Sequence, residues 1–142
     1  MIEHANKRHS RPKVLVGEDD AEMRSVLSES LREKGYEVVE CPDGLKVLDR
    51  LSSVLLPSTV TSREPEHYDL IISDIRMPGV NGMSILEGVK LFERFPPMIL
   101  ITAFGDEETH AEASRLGVAA MFDKPFDIDA LMQKVEELAP LN

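Results

Sequence analysis

The stretch LIISDIRMPG, residues 70–79, decides how the chain is read. Leu70, Ile71 and Ile72 are bulky aliphatics that lead to Ser73 and then to Asp74, and Met77-Pro78-Gly79 signals a turn almost at once. A short, continuously apolar run of this kind suits a central strand covered on both faces. A carboxylate at the lip of such a strand is costly to desolvate unless something nearby offsets its charge. Asp74 therefore either caps the next element or performs chemistry.

Four more short runs share the pattern: VLV at 14–16, YEVVE at 36–40, MILI at 98–101 and VAAMF at 118–122. The first and fourth runs along the chain's five are continuously apolar like 70–73, whereas 36–40 mixes polar and apolar residues and reads as an edge. Between the runs the period turns helical. Met23, Val26, Leu27 and Leu31 make one face after Asp20 as N-cap, and Gly35 stands where a C-terminal glycine belongs. Leu45, Leu48 and Leu51 suggest a second face. Leu86, Val89 and Phe92, entered through Asn81-Gly82, suggest a third. Ala111, Ser114, Arg115 and Leu116 suggest a short fourth helix, and Asp127 caps a fifth carrying Ile128, Leu131, Val135 and Leu138. Strands alternating with helices imply right-handed crossovers and a parallel sheet with helices on both sides. Residues 52–66, SSVLLPSTVTSREPE, break the rhythm and read mostly as an extended surface loop.

Composition limits the function. A chain of 142 residues, 42% hydrophobic and 30% charged, fits one globular domain. The longest apolar runs are strand-sized, so no segment is expected to span a bilayer. The polar opening MIEHANKRHSRP lacks the apolar core of a secretory signal. Cys41 alone supports neither a disulfide framework nor a cysteine zinc site, and a reducing, cytoplasmic setting is expected. A formal charge of −10 argues against a broad nucleic-acid-binding face.

In an open parallel sheet, ligands bind at the carboxyl ends of the strands. Those ends carry Gly17 followed by Glu18, Asp19 and Asp20; then Asp74; then Thr102; then Asp123 and Lys124. Carboxylates brought within a few ångströms repel unless a cation joins them. Hard oxygens with few other donors suit Mg²⁺, which keeps several waters and accepts a phosphate oxygen. Lys124 supplies a point charge and Thr102 a hydroxyl for a phosphoryl group, and no glycine-rich phosphate loop is present to hold a nucleotide. This is equipment for an aspartyl-phosphate formed on Asp74. The plainer alternatives are a solvated acidic turn for residues 18–20, with Asp20 read as a cap, and a helix N-cap for Thr102. His4, His9, His67 and His110 lack ligand-like spacing, and the methionines read as core filler.

In their order and spacing, VLVGEDD, LIISDIRMPGVNG, ILITAFGD and FDKPF resemble the receiver domain of two-component response regulators. The resemblance covers roughly residues 13–138. It implies a flavodoxin-like (βα)5 fold with strand order 2-1-3-4-5, a domain over 13–139 and a disordered tail over 1–12. It implies Asp74 as phosphoacceptor, Asp19 as a direct Mg²⁺ ligand, Glu18 as a ligand through water, and the backbone carbonyl of Arg76 as a further ligand. Thr102 would hydrogen-bond the phosphoryl group, Lys124 would ion-pair with it, and the Lys124–Pro125 bond would be cis. A sensor histidine kinase or phosphotransfer protein would be the donor. An output partner would read the fourth helix, fifth strand and fifth helix, with neither nucleic acid nor membrane bound directly. The chain would be a regulatory domain rather than an enzyme. Met121 departs from the pattern, because receivers usually carry Tyr or Phe there. Phe122 should face the other side of the strand. Two other readings compete: a phosphorylation-independent interaction module, and a Mg²⁺-dependent phosphohydrolase. The latter generally needs an acid/base two residues past the nucleophile, where Arg76 stands.

Overall fold

The computed structural model describes residues 11–55, 66–92 and 95–141. Strands and helices alternate: β1 Lys13–Gly17, α1 Ala21–Lys34, β2 Glu37–Cys41, α2 Gly44–Leu55, β3 Leu70–Asp74, α3 Gly82–Val89, β4 Met98–Thr102, α4 Glu107–Arg115, β5 Ala120–Asp123 and α5 Ile128–Leu138. All strand pairings among them are parallel, and the sheet order is β2-β1-β3-β4-β5, the order that the resemblance implies. β2 is an edge strand with a mixed burial pattern, whereas β3 and β4 are buried along their whole length.

The period-2 alternation of each strand divides the core in two. Val14, Val16, Ile72 and Ile101 face Leu27 and Leu31 of α1 and Leu131 and Val135 of α5. Leu15, Ile71 and Leu100 face Val47 and Leu51 of α2, Ile85 and Leu86 of α3 and Ala113 of α4. Phe122 packs with the first layer and Met121 with the second, so the two side chains do take opposite faces.

Helix ends follow the sequence. The Asp20 carboxylate accepts from the Glu22 and Met23 N–H groups, and Gly35 ends α1 at φ 112°, a left-handed value that favours glycine. Asn81 caps α3 and Asp127 caps α5. Other expectations are corrected. Val47 and Leu51 are the buried residues of α2, while Leu45 and Leu48 are exposed. Apolar residues at 45, 47, 48, 51 and 54 offer two overlapping stripes. Packing chooses one of them: a Cβ on Gly17 would lie 2.8 Å from Val47 Cγ2, and Leu45 instead covers Gly79. α2 also runs through Leu55, so residues 52–55 are helical rather than loop, and 56–65 lie outside the described residues. α3 ends at Val89, leaving Phe92 in the following turn. Ala113 is the buried residue of α4, in place of the weak stripe expected around Ala111. Residues 1–10 of the expected tail also lie outside the described residues, whereas the Pro12 carbonyl already accepts from Glu37 N–H at 2.9 Å. No described helix is long and apolar enough to cross a membrane.

Candidate functional site

The carboxyl ends of β1, β3, β4 and β5 converge as the sequence implies. Parallel register puts Gly17 beside Ser73, Asp74 beside Ile101, and Thr102 beside Asp123. The residues just past these ends are therefore neighbours. Glu18, Asp19 and Asp74 each offer a carboxylate oxygen, and these atoms lie within 4.8 Å of one another. Glu18 is wholly buried and Asp74 is 5% exposed, while Asp19 faces solvent. Lys124 Nζ donates to Glu18 Oε1 at 2.9 Å and to Asp74 Oδ2 at 2.7 Å, so one ammonium ties two elements 106 and 50 residues away. Lys124 is itself held by its backbone N–H, which donates to the Thr102 carbonyl at 2.7 Å. The Lys124–Pro125 peptide is cis.

The electrostatics follow from this crowding. Burial pushes the Glu18 carboxyl up to about 7, against the lowering pull of the Lys124 and Asp20 hydrogen bonds, and the charge on Asp74 adds to the rise. Burial acting alone would lower the Lys124 ammonium, but its hydrogen bonds to Asp74 and Glu18 outweigh it and the pKa is raised. One ammonium contacts two of the three clustered carboxylates, Glu18 and Asp74, and the Asp19 carboxylate completes an all-oxygen donor set. That set fits a hard divalent cation: the charge is complementary and the ligand type is right for Mg²⁺.

The remaining expected residues fall around this centre. Thr102 is buried at the end of β4, and its Oγ1 accepts from Phe104 N–H at 3.0 Å. Asp106, not Thr102, caps α4, with Oδ1 accepting from Thr109 N–H, so the plain N-cap account of Thr102 is removed. Arg76 N–H donates to Asp74 Oδ1 at 3.2 Å. Its guanidinium turns away to stack on the exposed Phe104 ring, 4.4 Å from Cζ to the centroid. The Asp20 carboxylate accepts from the first turn of α1 and so caps the helix, while the Asp20 N–H donates to Glu18 Oε2 at 3.1 Å.

The sequence did not reveal Phe104, because a cation–π pair between two loops has no local signature. It also did not reveal the contact of His110 with Asp123, which lie on different elements. Gly82 is required by close packing at the start of α3. A Cβ there would lie 2.5 Å from the Asp74 carbonyl oxygen, so glycine lets α3 start directly beneath the site.

A parallel sheet of this order, with buried acids and a lysine at its carboxyl edge, defines a doubly wound protein of the flavodoxin-like kind. The family model described as "Response regulator receiver domain" matches residues 14–136, and the chain belongs to that family. Sporulation initiation phosphotransferase F of Bacillus subtilis (strain 168) is 32% identical over 129 residues, covering 91% of this chain and 94% of its own length. The DNA-binding transcriptional regulator NtrC of Escherichia coli (strain K12) is 33% identical over 123 residues, 87% of this chain but only 24% of the relative. Among solved structures, the receiver domain of the Francisella response regulator 1452 aligns with a TM-score of 0.76 at 28% identity, over 91% of this chain and 97% of that one. The chemotaxis protein CheY4 of Vibrio cholerae aligns with a TM-score of 0.74 at 25% identity, over 91% and 99%. Receiver domains of this family are regulatory, and this chain is one.

Proposed function

We propose that the chain is a phosphorylation-controlled switch whose phosphoacceptor is Asp74. A carboxylate oxygen of Asp74 attacks the phosphorus of a donor, and the bond from phosphorus to the donor's leaving group breaks. The observation that carries this reading is the Lys124 ammonium bridging Asp74 and Glu18, with Asp19 adding its oxygen to the same cluster. Lys124 offsets charge on the transferring group, and the Thr102 hydroxyl exchanges its own loop for a phosphoryl oxygen. Asp19, Asp74 and the Arg76 carbonyl would hold Mg²⁺, with Glu18 acting through water. Bound there, the ion supplies a positive charge that neutralises the phosphoryl oxygens.

The donor is a sensor histidine kinase or a phosphotransfer protein, a reading supported by the family and by the phosphotransferase among its relatives. Both kinds of donor act in the cytoplasm, and we place the chain there. The receiver unit spans 13–139. The phosphoryl group is lost again by hydrolysis at the same site, and the surface of α4, β5 and α5 carries the signal to an output partner. Phosphorylation adds charge and acceptors and shifts an equilibrium between two arrangements.

The test is incubation with a small-molecule phosphodonor and Mg²⁺, read by intact mass and by acid-stable against base-labile label. One phosphoryl group should be added to the wild type and none to Asp74→Asn. Undiminished labelling of Asp74→Asn would sink the assignment. Asp19→Asn should lose Mg²⁺ binding in titration, which an interaction module that ignores phosphate has no reason to show.

A further inference from the structure

Outside the acidic cluster, the carboxylate of Asp123 is held from two sides. His110 Nε2, in the first turn of α4, lies 3.0 Å from both Asp123 carboxylate oxygens. A Cβ on Gly105 would lie 1.7 Å from Asp123 Oδ1 and 2.9 Å from His110 Nε2. The pair thus sits directly on the backbone of the β4–α4 loop, in space that only a glycine leaves. The loop itself begins at Thr102, and Asp123 is the residue before Lys124. One contact therefore joins the loop that carries Thr102, the helix that follows it, and the strand end that aims the lysine.

We propose that His110 and Asp123 form a clasp that holds α4 and its loop against the end of β5, and that is released when Thr102 moves toward a phosphoryl group on Asp74. The clasp belongs to the arrangement in which the Thr102 hydroxyl is engaged by Phe104 N–H and Lys124 bonds directly to Asp74. A pull on Thr102 is transmitted through Ala103 and Phe104 to Gly105. Gly105 is so tightly seated on Asp123 that small displacements separate the carboxylate from the ring. A contact made in only one of two arrangements biases the equilibrium toward that one, and its loss favours the other by the same factor. Both side chains are about half exposed, 40% for His110 and 52% for Asp123, so the bias is modest: about two- to five-fold in the equilibrium constant.

This inference rests on the phosphoacceptor reading of Asp74, and the experiment separates the two. Beryllofluoride with Mg²⁺ is titrated at one fixed pH into the full chain, His110→Ala, Asp123→Ala and the double variant, with binding followed by amide chemical shifts. Each single variant should bind the phosphoryl mimic about two- to five-fold more tightly. The double should bind no more tightly than the tighter single, because one contact is lost either way. Gly105→Ala, whose Cβ displaces the Asp123 carboxylate while both side chains keep their identity, should tighten binding likewise. Unchanged affinity, weaker binding or additive gains in the cycle would overturn the clasp. Failure of the wild type to bind the mimic would overturn the Asp74 reading instead.

Discussion

Replacing Glu18 by Gln tests the electrostatics of the site without removing its shape. Glu18 is wholly buried, and its carboxyl is raised from an ordinary 4.5 to about 7. Between those values the folded chain keeps a proton that the unfolded chain has released, so stability falls as pH rises. The stabilising contribution is full below about pH 4.5 and is lost once pH passes about 7. At about 1.4 kcal/mol per pH unit, that window amounts to about 3 kcal/mol, or on the order of 10 °C in melting temperature for a chain of this size. Glu18→Gln stays neutral throughout and its amide oxygen can still accept from Lys124, so this component vanishes. Denaturant unfolding of both proteins from pH 4.5 to 8 in EDTA should show the difference in stability between wild type and Glu18→Gln moving by about 3 kcal/mol in favour of the variant. Excess Mg²⁺ should shrink the wild-type loss, because a bound cation favours the ionised acid. Parallel pH curves for the two proteins would refute the burial argument.

Lys124→Met leaves two buried carboxylates facing each other, and at pH 8 in EDTA it should cost about 3 kcal/mol by urea unfolding; a loss below about 1 kcal/mol would mean the ammonium is not the group that holds Glu18 and Asp74 together. Gly82→Ala drives a Cβ to 2.5 Å from the Asp74 carbonyl oxygen and should destabilise by about 1–3 kcal/mol, whereas Gly88→Ala on the same helix meets open space and should stabilise by about 0.5 kcal/mol. Tyr36→Phe removes the buried hydrogen bond from the Tyr36 hydroxyl to the Ala139 carbonyl, 2.6 Å long, which ties the start of β2 to the end of α5; thermal and urea unfolding should report a loss of about 1–2 kcal/mol.

The alternation of strands and helices is legible along the chain, because apolar runs and caps are local: Asp20 and Gly35 bound α1, Asn81 opens α3, and Asp127 opens α5. So are the residues that stand at strand ends, and a parallel sheet sends those ends to one edge. Glu18, Asp19, Asp74, Thr102 and Lys124 were legible for that reason. Tertiary structure decided what periodicity leaves degenerate. The apolar residues of α2 offer two stripes, and only contact with the sheet selects Val47 and Leu51 over Leu45 and Leu48. It decided that Arg76 stacks on Phe104, and that His110 meets Asp123 over Gly105. It also decided how deeply Glu18 is buried, and with it the pH at which that carboxyl ionises. Each depends on atoms brought together from separate loops at distances of a few ångströms, and a one-dimensional pattern carries no such distances.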